Sequence, residues 1–300
     1  MRVVFLGTPD FAVTTLNALH EKYEVVAVVC QPDKAKNRKG ETIFGAVKQR
    51  AIDLNIPLYQ FNKIKDEGVQ ILKDLAPDLM ITCAYGQILS QEILDIPKYG
   101  ILNVHGSLLP KYRGSAPIQW SLIDGEEKTG ITIMKTALGM DTGDIVAKRE
   151  IIIDDNMYLE ELYDALKVMG ADLLIDTIDA YVSGKIVPTP QNEDEATKCR
   201  MLTKEDAKID FSAQSKDIRN RVRGLGYGYF LYNNEPVKVY KAEESLECGK
   251  QGEILSHTKD GVKIACSNGS VLFTELQMPG KKRMDAKDFI NGVKLSGEVL

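Results

Sequence analysis

Three apolar runs near the start of the chain limit its fold more than any other feature. Val3–Leu6, Val25–Cys30 and Leu79–Ala84 place apolar residues at consecutive rather than alternate positions. A strand shows that pattern when both of its faces are covered, as in a parallel sheet between helices. After the first run comes a turn, Gly7-Thr8-Pro9-Asp10, and then a helical pattern over Phe11–His20. Strand, turn, helix and strand in this order open a Rossmann-like, doubly wound α/β fold with a mostly parallel sheet. The turn has no Gly-x-Gly-x-x-Gly. That argues against an NAD enzyme.

The remaining pattern continues this fold and then leaves it. Helices are expected over Val47–Leu54 and Gly68–Leu75, with a short strand at Leu58-Tyr59. Ile101–His105 reads as a strand, Pro117–Ile123 as a helix and Ile131–Lys135 as a strand. Ile145–Ile153 is apolar with polar interruptions, which suits an antiparallel or edge strand. Leu159, Leu162, Tyr163, Leu166, Met169, Leu173, Leu174 and Ile178 recur at helical spacing, so a long amphipathic helix is expected over Tyr158–Val182. Both periodicities lapse over Ser183–Thr203, which holds Pro188 and Pro190 and reads as a linker. Ser215–Leu225 is again helical. Short strands follow at Phe230–Tyr232, Val237–Tyr240, Glu253–Leu255, Val262–Ala265 and Val271–Leu276, and a helix closes the chain over Asp285–Gly292. Short strands at this spacing suggest a small OB-like β-barrel. The expected domains are therefore 1–182 and 204–300, joined by 183–203.

Composition narrows the function classes. Three hundred residues suggest one large domain or two of ordinary size, and an apolar fraction of 44% against 27% charged leaves room for a real core. The net charge of −5 advertises no nucleic-acid partner for the chain as a whole. It is unevenly spread, with −7 over residues 1–203 and +2 over 204–300. A mildly basic C-terminal part fits a polyanionic partner, and it fits ordinary variation as well. The five cysteines are scattered without a Cys-x-x-Cys pair, and His20, His105 and His257 are far apart. Neither a disulfide framework nor a metal site is signalled. The apolar run at the N-terminus is too short for a signal peptide and none reaches membrane-helix length, so a cytoplasmic protein is expected.

Chemistry concentrates at the end of the strand Ile101–His105. Side chains at i and i+2 share a face of a strand, so Asn103 and His105 point the same way. A neutral imidazole can accept a proton, and an amide can donate to a developing oxyanion. A buried histidine that merely ends a strand fits these residues too. A second polar region, Gln31–Phe44, lacks periodicity and carries Lys34, Lys36, Arg38 and Lys39. A loop of that length in a compact domain is usually functional or mobile.

The stretch His105-Gly106-Ser107-Leu108-Leu109-Pro110-Lys111-Tyr112-Arg113-Gly114-Ser115-Ala116-Pro117 resembles the signature of the folate-dependent formyltransferases. Leu138-Gly139-Met140-Asp141-Thr142-Gly143-Asp144 resembles their second signature, and Gly7-Thr8-Pro9-Asp10-Phe11-Ala12 their opening turn. The resemblance implies a catalytic triple of Asn103, His105 and Asp141, with Asp144 as a competing carboxylate. It implies 10-formyltetrahydrofolate as donor, with no metal, held by Ser107, Leu108, Leu109 and Pro110, and with backbone of Tyr85-Gly86-Gln87 along the pocket. Ala196–Phe211 and Gly280–Gly292 resemble the linker and closing motif of the members that formylate methionyl-tRNA. That resemblance implies initiator methionyl-tRNA as acceptor and a contact to it from Arg38; Lys281 and Lys282, in the net basic C-terminal part, are expected to bind it as well, and a monomer is expected. The alternative acceptor is an amino sugar nucleotide or another small amine. The chain departs from the family at Arg223-Gly224-Leu225-Gly226-Tyr227-Gly228-Tyr229, where prolines and a tryptophan are usual. Trp120 is expected in the core rather than as a stacking platform.

Overall fold

The structure, a computed structural model, describes residues 1–33, 43–297 and 299. The elements run β1 (Arg2–Gly7), α1 (Phe11–Lys22), β2 (Glu24–Cys30), α2 (Ala46–Asp53), β3 (Leu58–Gln60), α3 (Ile64–Glu67), α4 (Val69–Leu75), β4 (Leu79–Cys83), α5 (Gln91–Leu94) and β5 (Ile101–His105). Next come β6 (Arg113–Gly114), α6 (Pro117–Ile123), β7 (Lys128–Lys135), β8 (Ile145–Ile152) and α7 (Leu159–Val182). A sheet of order β3-β2-β1-β4-β5-β7-β8 results. It is parallel from β3 to β5 and turns antiparallel where β7 pairs with β5. The apolar runs behave as their pattern requires. Val3, Val4, Phe5, Leu6, Leu79, Met80 and Ile81 are all fully buried.

The long helix is present, with Leu162, Leu166, Leu174 and Ile178 buried along one face. Gly170 lets α7 approach the sheet closely: a Cβ there would lie 2.9 Å from Val104 Cγ1 of β5. The edge position expected for Ile145–Ile153 is occupied by β8.

The remaining elements are β9 (Lys198–Cys199), α8 (Ser215–Leu225), β10 (Gly228–Tyr232), β11 (Glu235–Ser245), β12 (Ile254–Thr258), β13 (Gly261–Cys266), β14 (Gly269–Gln277), β15 (Met284–Asp285) and α9 (Ala286–Gly292). β9 pairs in parallel with β6. The others form an antiparallel sheet of order β10-β11-β14-β13-β12, with β15 added to β14. Phe211, Phe230 and Phe273 meet in its core, with centroids 5.9–6.4 Å apart. This is the antiparallel second domain the short strands announced.

Contacts divide the chain into two units that are not contiguous in sequence. One comprises Met1–Gly114, Thr129–Ile151 and Tyr163–Cys199, the other Ser115–Lys128, Ile152–Leu162 and Arg200–Leu300. Two segments assigned by sequence to the first domain thus group with the second. The physical reasons lie inside that second unit. Gly224 of α8 has no room for a side chain, because a Cβ would sit 2.8 Å from Gln119 O and 2.7 Å from Ile123 Cγ1 of α6. Arg223 is buried and donates to the carbonyls of Met157 and Asp154 at 3.0 and 2.9 Å, and to Asn220 Oδ1 at 3.0 Å. Part of the segment read as linker, residues 183–199, groups with the first unit.

The altered stretch after Arg223 also has a local account. Gly226 ends α8 in the left-handed region (φ 75°), which glycine adopts without strain. Trp120 is half-buried rather than core. Its Nε1 donates to the carbonyl of Arg200 at 2.8 Å, and the Arg200 guanidinium lies over its ring at 5.3 Å. Among the described residues no helix is long and apolar enough to cross a membrane.

Candidate active site

β5 lies next to the point where the sheet changes direction, and its last residues carry the polar groups. Asn103 pairs with Thr82 of β4 on one side and Met134 of β7 on the other. The hydroxyl of Thr82 donates to Asn103 Oδ1 at 2.8 Å. In this orientation Oδ1 accepts and the NH2 group is left as the free end of the amide. Asn103 therefore presents Nδ2 as a donor.

His105 is 5% exposed, and its Nε2 lies 2.9 Å from the backbone carbonyl of Tyr112. A carbonyl only accepts, so Nε2 carries the hydrogen and the neutral ring leaves Nδ1 bare. Nδ1 is 3.7 Å from Asp141 Oδ2. That distance is too long for a hydrogen bond. It is short enough for the carboxylate to stabilise an imidazolium once Nδ1 has taken a proton. Asn103, His105 and Asp141 thus differ in how they meet: the strand brings the first two together, and a separate loop delivers the third.

That loop is tightly built. Asp141 has a left-handed backbone (φ 53°), and its Oδ2 accepts from the amide of Gly114 at 2.8 Å. Its own carbonyl accepts from Gln191 Nε2 at 2.8 Å, and the same NH2 group reaches the carbonyl of Gly143 at 2.7 Å. At Gly143 a Cβ would fall 1.7 Å from the carbonyl oxygen of Lys135, so only glycine fits. Gln191 Oε1 in turn accepts from Arg113 Nε at 2.9 Å, and the Arg113 guanidinium forks onto Glu193 at 2.9 and 2.7 Å. The Glu193 carboxylate raises the already high pKa of Arg113. Thr82 and Gln191 were not singled out in the sequence. Thr82 could have been found from its place in β4, beside Asn103. Gln191 carries no local signal, since it lies in a stretch without periodicity.

The turn after β5 holds itself together. Thr132, paired with His105 across the ladder, donates to Ser107 O at 2.7 Å and accepts from Leu109 N at 3.0 Å. Ser107 Oγ donates to Lys111 O at 2.7 Å, and Lys148 Nζ donates to Leu109 O. The Leu109–Pro110 peptide is cis. Ser107, Leu109 and Pro110 are buried, while Leu108 is half-buried. Of these four, only Leu108 offers a ligand its side chain, and the rest can offer backbone. Tyr85, two residues past β4, is buried, and the Gln87 amide is held by Ile64 N and Phe61 O at 2.8 Å each.

Of the three cations expected at a tRNA contact, Lys281 and Lys282 are exposed in the turn after β14. Arg38 lies outside the described residues. Three neighbouring arginines are already committed. Arg283 forks onto Glu275 and covers the Tyr240 ring at 4.3 Å. Arg219 lies 3.6 Å from Glu244, and Arg223 is buried as described.

Residues 1–178 match the formyl transferase family, and residues 201–294 match the formyl transferase C-terminal domain. Methionyl-tRNA formyltransferase of Clostridium acetobutylicum is 42% identical over 100% of this chain and 99% of its own length. That of Acetivibrio thermocellus is 45% identical, with the same shares covered. Among solved structures, WlaRD, a sugar 3N-formyl transferase described with dTDP and 5-N-formyl-THF, superposes with a TM-score of 0.69 at 19% identity, covering 94% of this chain and 99% of its own. HypX from Aquifex aeolicus in complex with tetrahydrofolic acid gives 0.64 at 18%, over 99% of this chain and 50% of that one. At such identities the likeness concerns the fold. The family matches and the full-length relatives agree with the two signature segments, and the chain belongs to the formyl transferase family.

Proposed function

We propose that this chain transfers the formyl group of 10-formyltetrahydrofolate to the free amino group of initiator methionyl-tRNA, giving N-formylmethionyl-tRNA for translation initiation. The observation that carries the chemistry is the bare Nδ1 of His105, 3.7 Å from Asp141 and on the same strand face as Asn103. The acceptor is favoured over an amino sugar because the full-length relatives named above are methionyl-tRNA formyltransferases.

Each residue has one task. The attacking amine must lose a proton, and His105 Nδ1 takes it. Asp141 stabilises the imidazolium so formed, which later protonates the departing folate nitrogen. Asn103 Nδ2 donates to the negative charge that develops on the formyl oxygen. The buried turn Ser107–Pro110 gives the donor a rigid backbone wall with the half-buried Leu108 on it. A half-buried amide whose Nδ2 has no partner among the described residues fits such a donor. Residues 1–182 supply the chemistry and residues 204–300 bind tRNA, with Lys281 and Lys282 on its phosphates, while Arg38 of the first domain places the acceptor end. The enzyme acts as a monomer in the cytoplasm.

The test is formylation by the purified chain of methionyl-tRNA and, separately, of an amino sugar nucleotide. Transfer to the tRNA is expected. His105→Ala and Asn103→Ala should each lower kcat roughly 10²-fold or more, the scale for removing an acid–base group or an oxyanion donor. Preference for the sugar would overturn the acceptor. Near-normal turnover in either variant would remove that residue from the mechanism.

A further inference from the structure

We infer that Gln191 is a positioning residue for Asp141, and that Arg113 dictates which way its amide faces. The inference rests on the catalytic reading above, since it gives Gln191 no role except through Asp141.

Asp141 must hold an unfavourable conformation to do its work. A non-glycine residue at φ 53° is uncommon and needs its surroundings to keep it there. One NH2 group supplies this by donating to the carbonyls on both sides of Thr142, those of Asp141 at 2.8 Å and Gly143 at 2.7 Å. Only an amide in one orientation can do so. With the flipped amide, an oxygen would face two carbonyl oxygens. Arg113 removes that choice. Its Nε donates to the amide oxygen at 2.9 Å, and the guanidinium, 4% exposed, is itself held by Glu193. The residue next to Arg113 completes the arrangement, because the Gly114 amide donates to Asp141 Oδ2. Asp141 is thus gripped by its backbone through Gln191 and by its carboxylate through Gly114. Both grips trace to the two-residue strand β6. A carboxylate displaced by about 1 Å can cost about 10²-fold in rate.

The test is a double-mutant cycle in the full-length protein. Gln191→Met removes the amide at nearly constant size. We expect kcat to fall roughly 10- to 100-fold with little change in KM for either substrate. In an Asp141→Asn background the same substitution should cost less than about threefold, because residues acting as a unit are not additive. A merely structural role would cost the same in both backgrounds, and that result would overturn the inference, as would a kcat within twofold of wild type. If Gln191→Met does not fold, Gln191→Glu keeps the contact to Arg113 and puts a carboxylate against the two carbonyls, and the same cycle applies. An activity-independent reading separates this inference from the proposed reaction. Hydrogen exchange at the Gly114 amide should quicken in the Gln191 variant while amides of β5 keep their protection. Unchanged exchange at Gly114 would sink the positioning role whatever acceptor the enzyme uses.

Discussion

The hydroxyl of Thr82 donates to Asn103 Oδ1 across 2.8 Å, between neighbouring parallel strands. This hydrogen bond ties the Asn103 amide to β4 and occupies its Oδ1. Thr82→Val should release the amide without changing its surroundings in shape. We expect kcat to fall about threefold to tenfold, in line with loss of one net hydrogen bond of about 1 kcal/mol. Thr82→Ser should restore it. Equal kcat in valine and serine variants would show that the amide is held by something else.

Asp141 and Asp144 are three residues apart in one signature, yet only Asp141 approaches His105. Asp144 enters the fold through its backbone, its carbonyl accepting from Lys135 N at 2.8 Å. Asp141→Asn keeps the shape and loses the charge beside the imidazole. It should cost roughly 10²-fold or more in kcat, and Asp144→Asn should stay within a few-fold. Steady-state assays of the two variants decide this, and an inactive Asp144→Asn beside an active Asp141→Asn would reverse the assignment.

Lys281 and Lys282 stand exposed, whereas Arg283 next to them is spent on Glu275 and the Tyr240 ring. Log affinity for tRNA should fall with log salt by about 0.7 to 0.9 per phosphate neutralised. Replacing both lysines by alanine should flatten that slope by about 1.4 to 1.8. Arg283→Ala should change the slope less. Binding titrations across a salt series provide the measurement. A slope that does not move in the double variant would remove these lysines from the interface.

His257 sets an acid limit on the second unit. Its Nδ1 accepts from Leu295 N at 3.1 Å, a bond that protonation would destroy, and its Nε2 is buried without a hydrogen-bond partner among the described residues. Burial pushes its pKa below the ordinary 6.5. The neutral form is therefore favoured in the fold, and the unfolded chain binds the proton first. Its contribution to stability is full above pH 6.5 and is lost as pH falls through the lower, folded value. Denaturant midpoints measured down this range should fall for wild type and fall less for His257→Gln. Parallel curves for the two proteins would exclude His257 as the titrating group.

Much of this molecule was legible along the chain because its causes are local. Unbroken apolar runs specify strands covered on both faces, so β1, β2 and β4 followed from Val3–Leu6, Val25–Cys30 and Leu79–Ala84 with shifts of a residue at their ends. Strand periodicity alone put Asn103 and His105 on one face, and their signature gave the family. Asp141 came from the resemblance, since a separation of 36 positions from His105 carries no distance. What only the tertiary structure decided is how these groups are held. The tautomer of His105 depends on the carbonyl of Tyr112, the anchoring of Asn103 on Thr82 from another strand, and the posture of Asp141 on Gln191, 50 residues away. Hydrogen bonds between side chains and distant backbone leave no periodicity in a sequence. The same holds for the division into units, where a glycine at 224 and a buried arginine at 223 bind segments that apolar patterning assigns elsewhere.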